Sequence, residues 1–256
     1  MDVKNDGCPI KLSKLQINKF TKKTLNKKSK NKKNNKPIAL VMVGGPGSGK
    51  TSAKVNSLMK LNMKTNNIVT IDPDIISSEL FDNINICRPE VNKIGKYWKD
   101  TAIKHKHNVV IDGTGRDFEH TYKEQIHFLK NKGYKVFVCV NILNITKALP
   151  RIRGRTKKIG RIVPISWARN TYNQLKEAYH KYIDLDCEKV DGIFVYDNKD
   201  KLKLIFKSTC NKQNKKEIIC YEPNYKFVRE ICKSKKNNIT AKKQKKNSTK
   251  KNMKKK

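Results

Sequence analysis

Residues 44–51, Gly-Gly-Pro-Gly-Ser-Gly-Lys-Thr, satisfy the pattern G-x-x-x-x-G-K-[ST] in full. Glycines let such a loop curl until its backbone N–H groups converge. A helix opening immediately afterwards adds partial positive charge at its N-terminus. The product is a cradle for phosphate oxygens. Gly44, Gly45, Pro46, Gly47, Ser48 and Gly49 would form it, with Ser52 beside them. Lys50 would bridge the outer phosphates of a nucleoside triphosphate, and Thr51 would offer its hydroxyl to Mg²⁺. An apolar strand, IALVMV, precedes the loop and a segment able to form a helix follows, so the context suits a P-loop better than a ligand-free glycine turn.

A P-loop does not name a reaction, because motors, GTPases, helicases and kinases share it. No Asn/Thr-Lys-x-Asp segment sits where a GTPase reads guanine, and helicases and motors need more chain than this. ATP is the expected nucleotide, with GTP left open. Asp72 and Asp74 follow an apolar run in VTIDPDII, and Asp112 ends another in NVVIDGTGRD. In an open α/β sheet, ligands bind beyond the carboxyl ends of the strands, which places all three acids near the phosphates. One of Asp72 and Asp74 would accept a proton from a substrate hydroxyl, or orient it for attack. The plainer role for Asp74 is a helix cap. Asp112 occupies the position that holds Mg²⁺ or its water. Thr114 and Arg116 follow on a slim turn, where an ordinary turn with a surface arginine is the alternative.

The chain has 59 basic and 22 acidic residues, and only eight of the basic ones are arginine. Five of those eight lie between Arg151 and Arg169, in and just after RIRGRTKKIGRIVP. Codon bias toward lysine would act there too, so the arginines call for a chemical reason. Arginine pairs with phosphate in a planar, bidentate way that lysine cannot match. A mobile lid carrying Arg155 and Arg161 over the γ-phosphate, with Arg151 and Arg153 as alternatives, would stabilise transition-state charge and exclude water. A basic RNA-binding helix or a solvated face is the competing reading.

Five apolar runs read as parallel strands: 38–43, 68–71, 109–111, 136–140 and 193–195. Helix-length segments at 48–64, 74–81, 89–106, 119–132, 145–155 and 166–182 separate them. That alternation predicts an α/β three-layer sandwich, a mostly parallel five-stranded sheet with helices on both faces, and a small hairpin from 202–206 and 217–221 at its edge.

Residues 1–36 carry 12 basic and 2 acidic residues, and 233–256 carry 12 basic and none acidic. Both ends are poor in large apolar side chains and are expected to be disordered tails (1–36 and 232–256) flanking one domain at 37–231. An AT-rich genome would account for much of the lysine and asparagine. The functional alternative is salt-sensitive grip on nucleic acid, which would be electrostatic because Phe20 is the one aromatic residue in the tails. The seven cysteines form no CxxC pair, Cys139 sits in an apolar run, and a disulfide framework or zinc site is not expected. With neither a signal core nor a membrane-length apolar run, a soluble cytoplasmic protein is expected, a nuclear address in the Lys-rich tail being the variant.

GGPGSGKTS, IDPD, DGTGR and RTKKIGRIVP with its following helix together resemble the zeta-toxin family of P-loop kinases. The resemblance implies transfer of the ATP γ-phosphate to a hydroxyl of a UDP-N-acetylamino sugar. It implies nucleotide and metal binding by Lys50 and Thr51, Asp74 as general base, sugar-nucleotide contact by Arg116, and phosphate clamping by Arg155 and Arg161. Asp112 stands where the family usually has Glu, one methylene longer. The two basic tails are not part of the family pattern.

Overall fold

The computed structural model describes residues 13–26, 36–80, 88–160, 162–211 and 213–234. The expectations for residues 1–12, 27–35 and 235–256, and for Arg161, lie outside them.

Strand β1 (Ile38–Val43) alternates cleanly between two cores. Ala39, Val41 and Val43 face one apolar cluster while Leu40 and Met42 face the other, as the period of two demands of a central strand covered on both sides. Strands β2 (Ile68–Ile71), β3 (Asn108–Asp112), β4 (Lys135–Ile142) and β5 (Gly192–Asp197) are parallel to it. The sheet runs β2-β3-β1-β4-β5-β6-β7 and has seven strands, two more than the five parallel ones read from the sequence. The extra pair is the anticipated hairpin, β6 (Lys203–Cys210) and β7 (Lys216–Cys220), which pairs antiparallel onto β5 and so joins the main sheet.

The helices between strands fall where the apolar periodicity put them: α2 (Lys50–Lys60), α3 (Pro73–Leu80), α4 (Arg88–Lys104), α7 (Ile145–Ile159) and α8 (Ile165–Ile183). The segment expected as one helix at 119–132 is α5 (Phe118–Thr121), a π-helical turn (Tyr122–His127) and α6 (Phe128–Asn131), closed by Gly133 at φ 81°.

Two expectations are overturned. Part of the presumed N-terminal tail is helix α1 (Lys14–Asn26), whose Ile17, Thr21 and Leu25 recur every fourth residue and turn inward. Leu25 is 5% exposed, and the Tyr97 hydroxyl on α4 donates to the Asn18 side chain. At the other end, Cys232 lies in a helical turn at 229–234 and is buried, so the folded part extends past 231.

The cysteines are the second correction. Cys187 is bonded to Cys210 and Cys220 to Cys232, while Cys139 is the free thiol among the described residues. Both bridges staple the hairpin, one to the loop after α8 and one to the C-terminal turn. The expectation that the cysteines form no disulfide framework is therefore overturned. Bridges closing loops of 23 and 12 residues contribute roughly 3 kcal/mol each in the chain-entropy picture. Reduction is expected to lower Tm by about 10 °C or more. Calorimetry with and without dithiothreitol checks this, and identical transitions would mean the bridges do not form. Among the described residues, no helix is long and apolar enough to cross a membrane.

Candidate active site

The P-loop leaves the carboxyl end of β1 and enters α2. β3 lies directly beside β1, with Met42 opposite Asp112, which carries the Asp112 carboxylate to the loop. Lys50 Nζ is 3.7 Å from Asp112 Oδ1 and donates to the Gly44 carbonyl at 2.9 Å. The loop is tied to the turn after β3 by the Gly44 N–H, which donates to the Thr114 carbonyl at 2.9 Å. Two glycines are fixed by close approach. A Cβ on Gly45 would stand 2.5 Å from the Tyr172 ring, and one on Gly49, already at φ 87°, would overlap the Asn198 amide.

A cavity of about 350 Å³ opens above the loop. P-loop residues 45–51 form its floor, and Asp72, Asp74 and Asp112 one wall. Thr114, Arg116 and Arg155 complete the set of sequence-predicted residues that it unites. Gly44 lies buried below the floor, and Ser52, exposed on α2, does not line the cavity. Of the lid arginines, Arg155 reaches the cavity from α7, Arg153 is exposed, and Arg151 donates to the Asn198 carbonyl at 2.9 Å. The first half of the lid is thus helical, ending at Gly160 with φ 66°.

Asp72 and Asp74 are held differently. Asp72 Oδ1 accepts the Asp74 N–H at 2.9 Å, so Asp72, one residue before α3, is the cap considered for Asp74. Burial, aided by the charge on Asp112, pushes the Asp72 carboxyl above its usual range despite that hydrogen bond. Asp74 sits in the first turn of α3, half-buried on the cavity wall.

Two lining residues escaped the sequence reading. Asn92 on α4 carries no motif. Trp167 at the start of α8 is 37% exposed, with the Arg116 guanidinium over its ring at 5.4 Å. Its signal was an aromatic residue three places after Val-Pro in the Arg-rich block, but spacing alone did not aim it at Arg116.

A P-loop between β1 and α2, an acid ending the adjacent β3, a carboxylate on the wall and an arginine from a lid helix define a P-loop phosphotransferase of the kinase class. The zeta toxin family model matches residues 22–209, and the chain belongs to that family. It is accordingly an ATP-dependent kinase. Among solved structures, it is similar to one from the PezAT chromosomal toxin–antitoxin system of Streptococcus pneumoniae, with 20% identity and a TM-score of 0.61 over 77% of this chain and 82% of that one. An AvrRxo1-ORF1:AvrRxo1-ORF2 complex with sulphate ions gives 13% identity and a TM-score of 0.64 over 83% and 71%. The same pair with ATP gives 14% and 0.64 over the same shares. At these identities the likeness is one of fold. No functionally curated protein matches the chain.

Proposed function

We propose that the chain transfers the γ-phosphate of ATP to a hydroxyl of a small acceptor, a UDP-N-acetylamino sugar being the first to test. The carrying observation is that one cavity unites the P-loop with Asp74, Arg116 and Arg155. In this reading the P-loop N–H groups and Lys50 hold the phosphates. Asp74 takes the proton from the acceptor hydroxyl as its oxygen attacks phosphorus and the bond to the β,γ-bridging oxygen breaks. Arg155 stabilises the charge spreading over the transferred group, and Arg116 holds the acceptor against Trp167.

Thr51 and Asp112 offer a hydroxyl and a carboxylate beside Lys50, a hard oxygen donor set that suits Mg²⁺. Among the described residues no group of three or more His, Cys, Asp or Glu could hold a metal alone. Water and nucleotide phosphates would supply the remaining ligands of such an ion. Bound Mg²⁺ would neutralise phosphate charge. The similar pneumococcal protein comes from a toxin–antitoxin system, which makes a protein partner that restrains this kinase part of the same proposal.

The test is a transfer screen with γ-³²P-labelled ATP or GTP and Mg²⁺, offering UDP-N-acetylglucosamine, nucleosides, and 5′-hydroxyl RNA and DNA. Label on the sugar nucleotide is expected. Label on nucleic-acid ends would replace the acceptor with a polynucleotide and give the basic tails a role. No label anywhere, with ATP bound, would sink the acceptor assignment.

A further inference from the structure

A loop that aims its N–H groups at phosphate turns carbonyls the other way, and each buried carbonyl then needs a donor from the scaffold. Here those donors are supplied. The Tyr172 hydroxyl on α8 donates to the Pro46 carbonyl at 2.9 Å. The Ser48 carbonyl receives two amides, Asn141 Nδ2 from β4 at 2.9 Å and Asn198 Nδ2 at 2.8 Å. Asn198 follows β5 directly and is itself pinned on both sides. Its N–H donates to the Ile142 carbonyl at 3.2 Å, and its C=O accepts Arg151 Nη2 at 2.9 Å.

Arg151 belongs to α7, the helix that also sends Arg155 into the cavity. That helix lies against the loop. A Cβ on Gly47 would meet the Ala148 carbonyl at 3.0 Å and the Ile152 side chain at 3.1 Å. A hydrogen-bonded path therefore runs from the lid helix through Arg151 and Asn198 to the Ser48 carbonyl at the base of the phosphate cradle.

We infer that Arg151 and Asn198 are positioning residues that couple seating of the lid helix to the phosphate-gripping shape of the P-loop. Arg151 is then not a phosphate clamp, although its sequence block suggested one. The coupling has a physical reason. Burial leaves the Ser48 carbonyl dependent on fixed donors, and the Asn198 amide is only as fixed as its backbone, which Arg151 holds. A displaced lid helix would release that backbone and slacken the loop. A seated one would stiffen it while delivering Arg155, so nucleotide grip and completion of the catalytic set go together. This rests on the reading of the cavity as an ATP site.

The experiment is a double-mutant cycle on the full chain, with ATP affinity read by calorimetry and Tm recorded for every variant. Arg151→Met and Asn198→Ala should each weaken ATP binding about fivefold, the size of one hydrogen bond's net contribution. The double variant should be no weaker than the poorer single one, because both act through the same carbonyl. Arg151→Lys, which keeps a donor, should recover most of the loss, and the KM for the acceptor should stay within twofold. Multiplicative losses, about 25-fold in the double variant, would overturn the relay by making Arg151 an independent contact. Unchanged affinity in either single variant would overturn it as well. A wild-type chain that binds no ATP would refute the underlying site reading instead, which separates the two failures.

Discussion

Lys50→Ala is expected to lower phosphoryl transfer by at least roughly 10³-fold while the fold survives, the scale of losing a fixed positive charge at a transition state. The ammonium sits where two demands meet. It donates to the Gly44 carbonyl at 2.9 Å and lies 3.7 Å from the Asp112 carboxylate, so its stem is already directed along the cavity floor. The side chain is only 17% exposed, and little water is available to replace its charge once a triphosphate fills the space above it. Lys50→Arg should not restore turnover, since the planar fork needs more room than the loop leaves around a compact ammonium. Single-turnover transfer of ³²P, with Tm as the folding control, decides it. Turnover within tenfold of the wild type would remove Lys50 from the mechanism.

Asp74→Asn should leave ATP affinity near the wild-type value and reduce turnover on the order of 10²-fold or more, the usual scale for a general base. Asparagine keeps the shape and the place on α3 but cannot take a proton. The effect should fall on kcat, because the carboxylate acts as the acceptor hydroxyl loses its proton. Asp72 gives the internal control. Its Oδ1 accepts the Asp74 N–H, which commits that oxygen to capping α3. Asp72→Asn retains a capping oxygen and should cost far less turnover than Asp74→Asn. The reverse ranking would transfer the base role to Asp72.

The local signals proved reliable where the chemistry itself is local. The P-loop glycines, the apolar strands and the helices between them each state their structure within a few residues, through backbone freedom, a period of two or a period of 3.6. That Asp112 would line the cavity was legible because strand ends converge in any parallel sheet, and β3 does lie beside β1. Helix α1 was not. It is lysine- and asparagine-rich with no acid in its first turn, and its inward face is a sparse Ile17–Thr21–Leu25 row that gains meaning only against α4. Its burial is a tertiary contact that overrides a composition typical of tails.

The disulfides were hidden for a related reason. Pairing depends on Cα separations of 5.6 and 6.1 Å, and hairpin docking creates those distances across 23 and 12 residues of chain. The division between Asp72 and Asp74 likewise depended on which carboxylate turned back to the helix N-terminus.

By itself, then, the sequence determined the phosphate cradle, the alternation that builds a parallel sheet, and the acids that the strands deliver to one edge. The tertiary structure alone decided which lid arginine enters the cavity, that Trp167 and Asn92 face it, and that Asn141 and Asn198 converge on one P-loop carbonyl. The physical reason is range. Backbone conformation and apolar period act between near neighbours, whereas a donor for Ser48 is drawn from residues 93 and 150 positions away. Only the closed sheet brings them within hydrogen-bond reach.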